Sequence, residues 1–321
     1  MFTHTTSRLS TSRAALALLL IGAVLVALPS CRRGPAPART FSSPEEAVKA
    51  LASAVTTEKV DDVLQIFGPE GKDLIDTSDP ASARRGRQVF TAAFTERWKL
   101  VDRDGGGKTL VIGNEEWPFP VPLIQTAQGW HFDAAAGKEE VITRRIGRNE
   151  LAVIEICQTY VVAQRRYART AHDGKRAGLF ATTFRSDPGK QNGLYWAVQK
   201  GEPRSPLGDL LAEAADPARL KSDAKPAPFY GYYFKILTAQ GPAAAGGARN
   251  FVVNGDMSDG YALVAWPAHY DNTGIMTFIV NQDAVVYQKD LGPKTAQITN
   301  AMKTYNPDKT WVEAETVSSK R

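Results

Sequence analysis

The hydrophobic pattern of this chain changes period several times along its length, and that order limits the fold more than any single motif. Ser43-Pro44-Glu45-Glu46 opens a helix by local chemistry. Ser43 can cap, Pro44 suits the first helical position, and Glu46 closes a capping box. Val48, Leu51 and Val55 then share one face. A second short helix turns Val60, Val63, Leu64 and Phe67 inward and ends at Gly68-Pro69-Glu70-Gly71. A third starts at Asp79-Pro80 and runs toward Trp98, with Val89, Phe90, Ala93 and Phe94 as its apolar stripe. The period then shortens to two. Lys99 to Arg103 and Thr109 to Ile112 form a hairpin around Gly105-Gly106-Gly107. Glu116 to Ile124 carries three prolines and reads as an edge or bulged strand, and Gly129 to Asp133 as the last strand. Lys138 to Ala168 is helical again, with a break expected at Gly147 and with Leu151, Ile154, Cys157, Gln158 and Val161 on one face. A short helix over Leu207 to Ala215 follows. Then come β-prone runs at Tyr230–Leu237, Asn250–Val253, Tyr261–Trp266, Met276–Val280 and Val285–Lys289. The expected class is α+β: N-terminal helices plus a curved antiparallel sheet, then a long helix packed on a C-terminal antiparallel sheet. The expected division is residues 1–30 as a signal peptide, 31–40 as a tether, 41–137 as a first domain and 138–316 as a second.

The N-terminus says where such a chain works. Arg8 and Arg13 precede an uncharged apolar run, Ala14 to Leu28, and Leu28-Pro29-Ser30-Cys31 follows. That order reads as a lipoprotein signal peptide, with Ser30 as the small residue before the cleavage site and Cys31 as the acylated first residue. The run is about 15 residues, shorter than the ~20 needed to span a bilayer. Arg32 is not the aspartate that marks inner-membrane retention, which favours the outer membrane. Removing residues 1–30 leaves 291 residues, and the loss of two arginines lowers the formal charge from +5 to +3. A balance so mild, without clustered basic and aromatic residues, argues against nucleic acid as a partner. With Cys31 acylated, Cys157 is the one thiol left, so a core and not a disulfide must hold the fold.

No catalytic motif emerges. Gly105-Gly106-Gly107-Lys108-Thr109 lacks the first Walker glycine, since position 102 is Asp102, and a strand follows where a helix is needed. There is no Gly-x-Ser-x-Gly elbow. His131, His172 and His269 are too far apart for a metal motif, and alternation turns His131 to solvent, away from Trp130 and Phe132. The segment 172–176 offers calcium Asp173 alone among basic neighbours, while 255–260 is more oxygen-rich but reads as a plain inter-strand turn. No metal or cofactor is expected. Cys157 lies on an apolar helix face and reads as core. The dense aromatic set Phe229, Tyr230, Tyr232, Tyr233 and Phe234 reads as a buried central strand.

Several segments carry a family resemblance: Phe41-Ser42-Ser43-Pro44-Glu45-Glu46-Ala47, Gly193-Leu194-Tyr195-Trp196, Phe229 to Leu237, Tyr261 to Pro267, and Thr273 to Gln282 continuing to Val286–Gly292. Together they resemble a bacterial envelope family labelled a domain of unknown function, number twenty-nine-fifty, over nearly all of residues 41–315. Within it, residues 41–135 are similar in order to nuclear-transport-factor-like cone domains, which enclose a pocket between helices and a curved sheet. Residues 148–292 are similar to pilin-type domains, although the candidate helix here is internal and amphipathic.

The expectation for function is an exported, lipid-anchored, non-enzymatic binding or scaffold protein on the periplasmic side of the envelope. Its partners would be a membrane, through the lipid on Cys31, and another envelope protein. The alternative is a small-ligand-binding protein or enzyme that uses a pocket in the first domain, with Trp98, Trp117, Trp130 and Phe132 as its walls.

Overall fold

Each half of the fold begins with a helix end satisfied by its own sequence. The computed structural model describes residues 37–75, 80–198, 204–208 and 227–315. The signal-like segment, Cys31 and most of the 207–215 segment lie outside the described residues. Helix α1 spans Pro44–Thr56, and Ser43 Oγ accepts from Glu46 N at 3.1 Å as its N-cap. The capping box closes one residue early: the Glu46 carboxylate accepts from the backbone N and hydroxyl of Ser42, not from Ser43. Those bonds hold the Glu46 carboxyl below its ordinary value of 4.5. A depressed carboxyl stabilises fully above its unfolded pKa and loses that contribution as pH falls through the folded one. A side-chain titration by NMR should therefore find Glu46 half protonated only below its ordinary value of 4.5.

Helices α2 (Val60–Phe67), α3 (Gly71–Leu74) and α4 (Pro80–Glu96) follow. Helix α2 buries Ile66 and Phe67, while Val60 is exposed. On α4, Phe90, Ala93 and Phe94 pack inward but Val89 is 63% exposed. The helical stripe is thus narrower than periodicity suggests, because these helices rest on a curved sheet along one line only. The sheet is β1 (Trp98–Asp102), β2 (Lys108–Ile112), β3 (Trp117–Pro118), β4 (Leu123–Thr126) and β5 (Gly129–Phe132). Its path is β1-β2-β4-β5, antiparallel, with β3 also on β2. Gly105, Gly106 and Gly107 all have positive φ, so the triglycine is the hairpin turn between β1 and β2. The expected edge strand over Glu116–Ile124 is two short strands on β2, since the prolines between them remove ladder donors. Phe41 pairs with Trp130 through bonds of 2.8 and 2.9 Å, which continues the sheet past β5.

Helix α5 (Ala134–Tyr167) is 34 residues long and unbroken. Asp133 caps it, accepting from Ala136 N at 3.0 Å. Gly147 does not interrupt it, because both flanks are pinned. Ala134 and Val141 pack in the first core, and residues from Val153 to Tyr167 line the second. Residue 137 thus falls within a helix shared by both cores. Leu151, expected on the buried face, is 50% exposed. Its place is taken by Val153, Ile156 and Tyr160.

The second sheet contains β6 (Tyr232–Leu237), β11 (Ala262–Pro267), β12 (Met276–Asn281), β13 (Tyr287–Asp290) and β15 (Val312–Glu313). Its order is β15-β13-β12-β11-β6, antiparallel throughout. Smaller pairings join β9 (Val252–Val253) to β10 (Asp256–Met257), and join β7 (Ala239–Gln240) to both β8 (Arg249–Asn250) and β14 (Thr304–Tyr305). Every residue of β11 is buried, so both sheet faces are covered there. Helix α5 packs through a reciprocal pair, Tyr160 Oη to Ala262 O at 3.2 Å and Tyr261 Oη to Val161 O at 3.3 Å. Helix α6 (Thr295–Ala301) is tied down by Lys235, whose ammonium donates to the carbonyls of Thr299 and Asn300. The aromatic strand β6 is an edge of this sheet, not its centre, because Tyr230 and Gly231 both take positive φ and turn the chain there. Tyr232 is buried, while Tyr233 and Phe234 are half-buried.

Candidate functional site

Two arrangements of side chains stand out inside the fold, one apolar and one polar. The apolar one fills the space between the N-terminal helices and their sheet. Phe67 on α2 meets Phe132 on β5 edge-on at 5.6 Å. Phe132 meets Phe119 at 6.0 Å, and Phe119 meets Phe90 at 5.8 Å. Phe90 stacks on Phe94 at 6.0 Å, and Phe94 on Trp98 at 5.7 Å. Six rings thus touch in sequence from one side of the sheet to the other, each contact adding about 0.5–1.5 kcal/mol to plain area burial. Of the four residues expected to line a pocket, Phe132 and Trp98 belong to this run and face other rings. Trp130 packs on the same cluster, and its backbone clasps Phe41. Trp117 is 41% exposed and carries the Arg144 guanidinium over its ring at 5.1 Å. The structure therefore brings three of the four to one packed interior and leaves the fourth at the rim.

The polar arrangement is a clasp on the middle of α5, which no sequence motif announced. Arg145, 6% exposed, donates to Leu74 O at 2.8 Å at the end of α3 and to Asn272 Oδ1 at 2.6 Å. One turn later, Asn149 Nδ2 donates to Thr273 O at 2.8 Å. Glu150 Oε1 accepts from the backbone N of Ile275 and Met276 at 2.8 and 2.9 Å, and from Tyr232 Oη at 3.4 Å. Tyr232 Oη also reaches Met276 O at 3.0 Å. The clasp binds α3, α5, β6 and the 268–276 loop through buried and part-buried groups, where a lost partner is costly. Two glycines make room for it. A Cβ on Gly231 would sit 2.6 Å from Asn149 Nδ2, and one on Gly274 would fall on the Tyr232 phenol. Beside it, Arg85 of α4 lies over the Tyr230 ring at 4.7 Å and bonds its hydroxyl. The sequence signal that could have found the clasp is the i, i+4, i+5 polar set Arg145, Asn149 and Glu150 within an otherwise apolar helix face.

The other candidates fall in separate places. His131 is half-buried, not solvent-facing, and its shielded Nδ1 has no partner among the described residues. The cause is the Phe41 pairing, which covers the edge of β5. His172 stacks on Tyr167 at 4.1 Å, and His269 is exposed in a turn. Cys157 is fully buried and burial pushes its thiol far up, so it is inert in the folded chain. Among the described residues no group of three or more His, Cys, Asp or Glu side chains could hold a metal ion. The described residues also form surface grooves, two of which are the best defined. One, of about 660 Å³, lies between Val55–Glu58 and Arg87–Glu96. The other, of about 580 Å³, lies along residues 185–197.

A family model described as "Protein of unknown function (DUF2950)" matches residues 38–314. The chain belongs to that family. No curated protein and no solved structure matches it. The DUF2950 match takes in the aromatic run, the clasp and both grooves. Several segments that carried the resemblance have structural duties. Phe41 closes the first sheet, Gly231 and Thr273-Gly274 shape the clasp, and Tyr261 holds α5. No helix among the described residues is long and apolar enough to cross a membrane.

Proposed function

We propose that this DUF2950 member is a lipid-anchored, non-enzymatic binding or scaffold protein of the bacterial envelope, exported and held by an acylated Cys31, with the outer membrane favoured. The observation that carries the reading is the aromatic run from Phe67 to Trp98. It spends the interior of the N-terminal half on packing and leaves outer surfaces for recognition. The order of helices and curved sheet supports a cone-like first half, and the long α5 on an antiparallel sheet supports a pilin-like second half. The way the chain leaves the body supports a tether. Ala38 lies against Gly68, and Arg39 N donates to Gln65 O at 2.9 Å. Six residues lie between Cys31 and Ala38, seven Cα steps with a reach of at most about 25 Å. Partners would therefore be met close to the membrane surface.

Two measurements test this. Thiol titration of the membrane-extracted chain in denaturant should count one reactive thiol, Cys157, and none while the chain is folded; two thiols in denaturant would remove the anchor. Crosslinking in living cells with mass spectrometry should capture a discrete envelope protein with the wild type and lose it with Cys31→Ala. Absence of any partner in both forms would sink the scaffold reading.

A further inference from the structure

The groove along residues 185–197 is built on a loop held rigid from within. Gln164, fully buried on α5, bonds Ala181 both ways: Nε2 to Ala181 O at 2.8 Å and Ala181 N to Oε1 at 2.9 Å. Tyr167 Oη donates to Gln191 O at 2.9 Å. Within the loop, Asn192 accepts from Asp187 N and donates to its carboxylate, and Ser186 Oγ accepts from Gly193 N. Gly193 is required, since a Cβ there would lie 2.5 Å from Arg185 C. Leu194 is fully buried. Packing accounts for Gly193 and Leu194 of the Gly193-Leu194-Tyr195-Trp196 segment in full, and for the two rings on one side only: both rest against the core, and Trp196 meets the His172 ring at 5.6 Å. Tyr195 and Trp196 are only half-buried and both line the groove.

One cation faces the same space. The Arg185 guanidinium lies over the Tyr195 ring at 5.8 Å, and among the described residues it has no carboxylate or carbonyl partner. Lys190, by contrast, is paired with Asp187 at 3.1 Å. An aromatic surface that can stack an apolar ring face, next to a planar fork of free N–H donors, is complementary to a carboxylate on a ring-shaped, hydroxylated body. A volume near 580 Å³ is in the range of small-ligand sites and suits a short oligosaccharide.

We propose that this groove binds a carboxylate-bearing saccharide, with the sugar face on Trp196 and the carboxylate on Arg185. The assignment deepens the binding-protein reading by naming a ligand class and does not depend on acylation of Cys31.

The test uses the full chain in detergent and two probes that differ by one lactyl carboxylate: the disaccharide of N-acetylglucosamine with N-acetylmuramic acid, and neutral di-N-acetylchitobiose. Calorimetric titration should show the acidic probe binding about tenfold more tightly than the neutral one, the ratio expected of one charge-assisted hydrogen-bond pair. Arg185→Gln should bring that ratio to about 1, and Trp196→Ala should weaken both probes at least tenfold. Trp196→Phe keeps a ring and should retain binding of both probes. That separates loss of stacking from loss of fold. Failure of both probes to bind the wild-type chain, or an unchanged ratio in Arg185→Gln, overturns the assignment. A chain that still crosslinks to an envelope protein but binds neither sugar overturns the groove alone and leaves the scaffold reading standing.

Discussion

Phe132→Ala is expected to lower the stability of the folded chain by about 3–5 kcal/mol, the cost of deleting a fully packed aromatic ring. Phe132 is 1% exposed and touches Phe67 and Phe119 edge-on, so its removal opens a cavity and breaks two links of the aromatic run. Helix α4 cannot close on the gap, because Phe90 and Phe94 are held by Phe119 and Trp98. Thermal unfolding should move down by roughly 6–15 °C. Trp117→Ala is the matched control. Its ring is 41% exposed, with one cation–π contact to Arg144 and one edge contact to Phe119 at 6.3 Å, so about 1–2 kcal/mol is expected. If Phe132 were instead the wall of an open chamber, alanine would change stability no more than Trp117→Ala does. A melting-temperature change equal in the two variants would sink the packed interior.

Gly274→Ala is expected to cost a comparable amount, about 3 kcal/mol or more, by a different route. The new methyl would fall on the Tyr232 phenol, which is fully buried and bonded to Met276 O and Glu150. Tyr232 cannot retreat without breaking those bonds. Overpacking of this kind costs about 1–3 kcal/mol, and each buried polar group left without a partner costs a further 1–3 kcal/mol or so. Because the clasp joins α3, α5, β6 and the 268–276 loop, hydrogen exchange should rise together in Leu74–Ile75, in the middle of α5 and in the 268–276 loop. Gly147→Ala on the same helix meets open space and has helical geometry, so it should be neutral or stabilising by up to about 1 kcal/mol. A Gly274→Ala chain as stable as wild type would mean that the clasp does not hold the two halves.

Local chemistry accounts for what was legible in the chain itself. The α+β order followed from periodicity and end signals, since Ser43-Pro44 at a helix start and three glycines in a hairpin act within a few residues. DUF2950 membership was legible too: the segments that carried the resemblance all lie within the matched residues 38–314. Tertiary packing decided the rest. Val60, Val89 and Leu151 are apolar at helical spacing yet exposed, since a helix can bury only the line along which it meets a curved sheet. Gly147 read as a break, but a helix pinned at both ends and clasped at Arg145, Asn149 and Glu150 absorbs the cost of one glycine. The aromatic strand read as central because hydrophobicity reports burial and not neighbours; the turn at Tyr230-Gly231 puts it at the edge. The Arg145 clasp and the Arg185–Trp196 groove were invisible for the same reason. Their partners are Leu74 and Asn272 in one case, and Gln164 and Tyr167 beneath the loop in the other, residues far apart in sequence that only the folded chain brings within hydrogen-bond reach.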